Sequence, residues 1–186
     1  MLLYGIGPFP ATIDLQRLPA RRAAMPSDPR SLPVVVVLDR IRSVYNVGSF
    51  FRTCDGAGVR KLYLCGYTGF PPHKGIAKTA LGAEQQVPWE HRASAAELVD
   101  ELSSAGYQIV AAETASASVD LYGWTPRFPA CIVFGNEVDG VAPEILERAD
   151  ACVSLPMTGV KDSLNVAVAG GAFLYELLRQ HRADSL

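Results

Sequence analysis

The sequence predicts an α/β domain built on a mostly parallel sheet with helices on both faces. Short apolar runs of strand length alternate with helical segments that are bounded by caps and glycines. Of its 186 residues 49% are hydrophobic, enough for one sizeable core. Residues 34–38 form a continuous β-branched and aliphatic run, which suits a strand covered on both faces. Asn46 then stands where a helix N-cap belongs, ahead of a helix to about Ala57 that Gly56 and Gly58 close. Residues 61–65 read as a second buried strand, and strand–helix–strand implies a right-handed parallel crossover. A helix is expected over 95–105 with Gly106 as its stop, then strands over 108–112 and 130–134. Pro143 opens a short helix over 143–149, residues 152–155 make a strand, and 164–181 form a long C-terminal helix.

Residues 1–32 are of different composition, with five prolines (Pro8, Pro10, Pro19, Pro26, Pro29) and four arginines (Arg17, Arg21, Arg22, Arg30). That mixture disfavours regular structure, so 1–32 are expected to be an extension and 33–186 the domain. The extension is either an arm that contacts a polyanionic partner or a surface-packed tail.

Several classes are excluded by pattern. No apolar run approaches the roughly 20 residues of a membrane span. The first ten residues lack the basic region and cleavage site of a signal peptide, which points to the cytoplasm. Cys54, Cys65, Cys131 and Cys152 include no C-x-x-C pair, and His73, His91 and His181 have no ligand spacing, so free thiols and no metal are expected. Neither a P-loop, nor a G-x-G-x-x-G after the first strand, nor a G-x-S-x-G elbow is present. Charge is unevenly divided: residues 1–92 hold 12 Lys and Arg against 6 Asp and Glu, whereas 93–186 hold 5 against 13. A polyanion would therefore meet the first half, unless the two halves are simply solvated faces.

Three segments concentrate chemistry-bearing residues. In Asn46-Val47-Gly48-Ser49-Phe50-Phe51-Arg52, Asn46 and Arg52 flank a helix start just beyond a strand's carboxyl end, where open α/β sheets place ligands. Arg52 could equally snorkel or pair with Asp55 or Glu137. In Phe134-Gly135-Asn136-Glu137-Val138-Asp139-Gly140-Val141 a buried strand ends at a glycine that permits close backbone approach, followed by a carboxylate. A tight loop with a solvated Glu137 is the plainer reading. In the stretch from Leu155 through Pro156 and Met157 to Ser163, Leu164 and Asn165, the last helix begins with unpaired N–H groups. Simple capping by Ser163, with the small residues of that helix serving packing, is the alternative.

Together, N-x-G-x-x-x-R, F-G-N-E-x-x-G-V and L-P-M-x-G-x-x-x-S-L-N-V-x-V-A resemble the three motifs of SPOUT methyltransferases of the TrmH (SpoU) branch, over roughly residues 34–180. Thr79 to Glu84, Thr-Ala-Leu-Gly-Ala-Glu, is also similar to a segment of that branch. The resemblance implies a C-terminal deep trefoil knot whose loops bind S-adenosylmethionine, a homodimer with active sites near its interface, and methylation of tRNA or rRNA at a ribose 2′-hydroxyl. Carried onto this chain, the cofactor pocket would use Glu113, Thr114, Gly135, Asn136, Leu155, Met157, Ser163 and Leu164. Arg52, Asn46, Glu137, Ser163 and Asn165 match the family's catalytic or site positions. Because a guanidinium with a pKa above 12 is a poor base, Arg52 is expected to bind phosphate and stabilise alkoxide charge. Two departures stand out: Ala167 replaces a frequent family serine, and only about 32 residues precede the first strand, where larger relatives carry an RNA-binding domain. Target recognition would then come from the core, the dimer surface, the arm or an adaptor. A non-catalytic RNA-binding protein of the same fold and a base-methylating relative are the competing readings.

Overall fold

The computed structural model describes residues 31–115 and 118–183. Most of the expected N-terminal extension therefore lies outside the described residues, and Leu32 already belongs to the first strand. Seven strands form one sheet in the order β3-β2-β1-β6-β4-β7-β5. They are β1 (Leu32–Asp39), β2 (Val59–Cys65), β3 (Trp89–Arg92), β4 (Gln108–Ala112), β5 (Val119–Asp120), β6 (Ala130–Phe134) and β7 (Ala151–Ser154). All six strand pairings are parallel. β1 and β6 are buried along their whole lengths because both faces are covered, which is why they read as unbroken apolar runs.

The two faces have separate cores. Leu32, Val34, Val36 and Leu38 pack on one side with α1 (Val44–Ala57), α2 (Lys74–Ala80) and α5 (Val166–Ala183). Val35 and Val37 pack on the other with α3 (Ala95–Ser104) and α4 (Pro143–Leu146). On α1 the inward stripe is Val47, Phe50, Phe51, Cys54 and Ala57, and burying each phenylalanine contributes roughly 1.5–3 kcal/mol. Two glycines set how closely helices approach here. A Cβ on Gly48 would stand 2.0 Å from Thr79 Oγ1 on α2, and one on Gly170 would stand 2.3 Å from the Phe50 ring. α5 is thereby held directly over α1.

Helix boundaries correct the sequence reading in one place that matters. Ser43, not Asn46, caps α1: its backbone is extended and its hydroxyl accepts the Asn46 N–H at 3.4 Å. Asn46 lies inside the first turn, so its amide is available for tertiary contacts. Gly58 closes the helix at φ 73°, with its N–H on Asp55 and Cys54 carbonyls, while Gly56 lies within it. The sequence reading also missed β3, β5, α2 and a 3-10 turn at Ala83–Gln85.

β1 sends the chain outward to β2 on one side, and its neighbour β6 sends the chain towards β7 on the other. The boundary between them is a topological switch point, where loops at the carboxyl ends diverge and leave a crevice.

Candidate active site

That crevice is occupied by a cavity of about 660 Å³ on the β6, β4 and β7 side. Its size lies within the range of roughly 300–1,000 Å³ usual for small-molecule sites. Every residue expected to hold the cofactor lines it: Glu113 and Thr114 after β4, Gly135 and Asn136 after β6, Leu155 and Met157 after β7, and Ser163 and Leu164 before α5. Glu137 and Asn165 line it as well, whereas Asn46 and Arg52 do not.

The cavity floor is a tight turn. Asn136 and Gly140 form an antiparallel bridge, and the Asn136 Oδ1 accepts the Val138 and Asp139 N–H groups at 2.8 and 3.0 Å. Glu113 ties the β4 loop to it, accepting the Val141 N–H at 2.9 Å through one oxygen and its neighbour Thr114's N–H at 2.9 Å through the other. The Asn136 amide, buried at 4% exposure, also donates to Arg40 O at 2.8 Å and to the Tyr67 hydroxyl at 2.7 Å. This one side chain therefore spans β6, the end of β1 and the end of β2. Neither the Tyr67 contact nor the engagement of the Arg42 and Ser43 amides described next has any local signal in the sequence.

Glu137 joins the motifs. Its carboxylate accepts the Arg42 N–H at 2.9 Å, the Ser43 N–H at 3.2 Å and the Asn46 side-chain amide at 3.0 Å. Burial pushes this carboxyl upward, but the backbone donors together with Asn46 outweigh it and hold the group below the ordinary carboxylate range. Asn46 Oδ1 in turn accepts the Asn165 amide at 3.2 Å. Asn165 also caps α5, accepting the Ala167 and Val168 N–H groups at 3.0 and 3.4 Å. Capping by Ser163 is thus replaced by capping two residues later; the Ser163 hydroxyl donates to Asp162 Oδ1 at 3.3 Å.

Arg52 does not line the cofactor pocket of its own chain. It is exposed and lines a second groove with Asp55, Leu81, Gln85 and Tyr175. The cause is helical geometry: six residues beyond Asn46 place it about 9 Å further along α1 and roughly 120° around its axis. Nor does it pair with Glu137, whose oxygens are engaged as above.

The four cysteines are free thiols, three of them buried, and burial raises Cys54, Cys65 and Cys131 above the ordinary thiol value. Among the described residues no group of three or more His, Cys, Asp or Glu side chains is placed to hold a metal ion. No helix among them is long and apolar enough to cross a membrane.

Known proteins are similar to this chain in sequence and fold. The SpoU rRNA methylase family matches residues 33–175. A tRNA (guanosine(18)-2′-O)-methyltransferase of Aquifex aeolicus is 35% identical over 159 residues, covering 84% of this chain and 74% of that protein. A Staphylococcus haemolyticus protein named for the TrmH family of tRNA/rRNA methyltransferases is 32% identical over 153 residues, 82% of this chain and 61% of its own length. The crystal structure of an AdoMet-bound rRNA methyltransferase from Sinorhizobium meliloti superposes with a TM-score of 0.74 at 32% identity, over 78% of this chain and 56% of that one. The chain thus spans little more than half to three quarters of these relatives. With its parallel sheet, its cavity at the switch point and its three motifs in register, the chain belongs to the SpoU rRNA methylase family.

Proposed function

We propose that this chain transfers a methyl group from S-adenosylmethionine to a ribose 2′-hydroxyl of tRNA or rRNA. The observation that carries the reading is the cavity at the carboxyl ends of β4, β6 and β7, lined by all eight residues expected to hold the donor. Its walls fit such a molecule: Leu155, Met157 and Leu164 supply apolar surface for an adenine, and Glu113 and the backbone of Gly135 and Asn136 supply hydrogen-bonding groups. When bound there, S-adenosylmethionine supplies an electrophilic methyl group.

The chain's own residues divide into two roles. Glu137, Asn46 and Asn165 hold one another, so they position the loops rather than exchange protons. A carboxylate kept ionised by three donors is also a weak base. Of the five candidate catalytic residues Arg52 is the cation, suited to bind the phosphate beside the acceptor and stabilise charge that builds on the 2′-oxygen. Since it lies outside its own chain's cavity, we infer a homodimer in which Arg52 of one copy serves the cavity of the other. Support comes from the face around its groove, where Leu81, Val168 and Tyr175 are exposed apolar side chains and Gly171 has open space beside it.

A knotted C-terminus belongs to the same reading. β7 lies on the far side of β4, yet the segment after it returns to place α5 against α1 and β1. Threading of residues 155–166 through the loops of the cavity accounts for that return.

The test is to incubate the full chain with labelled S-adenosylmethionine and total RNA, digest the RNA and identify the product by mass spectrometry. A 2′-O-methylnucleoside is expected; a ring-methylated base would favour the base-methylating alternative, and donor binding without transfer to any RNA a binding protein.

A further inference from the structure

The cavity occupies one half of the sheet's carboxyl edge. The other half, at the ends of β1, β2 and β3, carries a set of side chains that the chemistry above does not use. Three large rings, Tyr45, Tyr67 and Phe70, are 52%, 61% and 46% exposed there. Their exposure is built into a tightly held loop. The buried Thr68 hydroxyl donates to Leu38 O at 3.1 Å and accepts the Ile41 N–H at 2.9 Å, fastening the loop to the end of β1. Gly69 and Gly75 press on Val44 so closely that a Cβ on either would fall 2.8 or 2.7 Å from its methyl groups. Phe70 rests on His91 with ring centroids 4.6 Å apart. Tyr67 does not itself line the cavity, but its hydroxyl accepts the amide of Asn136, which does.

The same face is cationic. Residues 66–83 contain Lys74, Lys78 and His73 and not a single Asp or Glu. The Lys78 ammonium lies 5.9 Å from the Tyr45 ring centroid, and the exposed Arg42 projects from the segment whose N–H groups bind Glu137. Rigidly presented rings among positive charges are the pattern of single-strand nucleic-acid grooves, where rings stack on bases and cations follow phosphates. A duplex hides the faces of its bases, so such rings select unpaired nucleotides.

We propose that this face binds an unpaired RNA strand, with Tyr67 stacking on a base at the mouth of the cavity and Arg42, Lys74 and Lys78 taking phosphates. The proposal rests on the methyltransferase reading and adds the surface that presents the acceptor. The sheet then sorts the two substrates: donor on the β6–β4–β7 side of the switch point, acceptor strand on the β1–β2–β3 side.

The experiment uses the full chain, a fluorescein-labelled unpaired RNA of about 12 nucleotides, and a duplex of the same sequence. Tyr67→Ala and Phe70→Ala should each weaken binding of the unpaired RNA about 5- to 100-fold and leave duplex binding unchanged. Tyr67→Phe, which keeps the ring and loses only the acceptor for Asn136, should bind within about two-fold of the parent. Lys74→Ala should lower the slope of log affinity against log salt by about 1. Unpaired-RNA affinity that survives both ring deletions overturns the proposal, as does Tyr67→Phe being as weak as Tyr67→Ala, because then only the hydroxyl bond counts. A Phe70→Ala protein that changes its sedimentation but not its RNA affinity also overturns it, assigning the face to self-association. Ring-dependent RNA binding without methyl transfer would keep this surface and sink the enzymatic reading; transfer whose RNA KM ignores the rings would do the reverse.

Discussion

Gly135 offers the sharpest test of how the cavity is built. It follows the last residue of β6, and a Cβ added there would stand 2.2 Å from Gly140 O, 2.3 Å from Gly140 C and 2.3 Å from Val141 N. All three are backbone atoms, so no side-chain rotation relieves the contact. The turn must move instead, and it is pinned by the Asn136–Gly140 bridge and by the Val141 N–H on Glu113. Gly135→Ala should therefore behave as overpacking, at a cost of about 1–3 kcal/mol. In a chain of this length each kcal/mol lowers Tm by about 2–4 °C. The moved turn carries Asn136 and Glu137, so if the same strain falls on the donor-bound geometry, affinity for S-adenosylmethionine drops about 5- to 150-fold. Thermal melting and titration calorimetry with S-adenosylmethionine measure the two effects. Gly159→Ala is the control, because its Cβ would meet nothing within 4 Å, and it should leave both unchanged. A Gly135→Ala protein with the parent's melting temperature and donor affinity would refute the close-packed turn.

Two further outcomes follow from the site. Glu137 has a folded-state pKa below its ordinary 4.5, so its contribution to stability is complete above that value and is lost as pH falls through the folded one. The melting-temperature gap between the parent and Glu137→Gln should accordingly be full near neutrality and shrink in acid; a gap that widens below pH 4 would contradict the hydrogen-bonded carboxylate. Arg52→Ala alone should lose about 10²-fold in turnover, yet a subunit-exchanged equal mixture with Gly135→Val should recover about a quarter of the parent's rate, because half the dimers then hold one complete site. No recovery in mixtures whose exchange is demonstrated would place Arg52 and the cavity in one chain's site.

What could be read from the sequence was whatever sheet burial writes into it. β1 and β6 are covered on both faces and therefore appear as apolar runs, and Gly58 and Gly106, both at positive φ, mark where α1 and the turn after α3 end. β3 is Trp-Glu-His-Arg, an edge strand with all four residues half-buried, and β5 is two exposed residues, so neither has a hydrophobic period to detect. α2 is seven residues long and is capped by His73, whose ring nitrogen accepts the Gly75 N–H at 3.0 Å, a role seldom given to histidine. The placement of Asn46 at the N-cap failed because Ser43, three residues earlier, starts the helix one turn sooner and accepts the Asn46 N–H itself. The separation of Arg52 from Asn46 was hidden for a different reason. Proximity along a motif is not proximity on a helix, and six residues put two side chains on different faces.

The convergence of the motifs follows from pairing and packing rather than from any one motif. β1 and β6 are hydrogen-bonded neighbours, so Ser43 and Glu137 meet although 94 residues separate them. Gly170 lets α5 settle on Phe50 of α1, which brings Asn165, at the start of α5, to Asn46, near the start of α1. The same bonds limit what these residues can do. Each atom engaged in holding a neighbouring loop is unavailable to a reacting oxygen, and a Glu137 stripped of its donors would leave the Arg42 and Ser43 amides seeking water at the cavity's edge. A positive charge for the reacting oxygen therefore has to come from a residue outside this network. Arg52, exposed on α1 and outside the cavity, is such a residue, and in the dimer proposed above it would complete the site of the other copy.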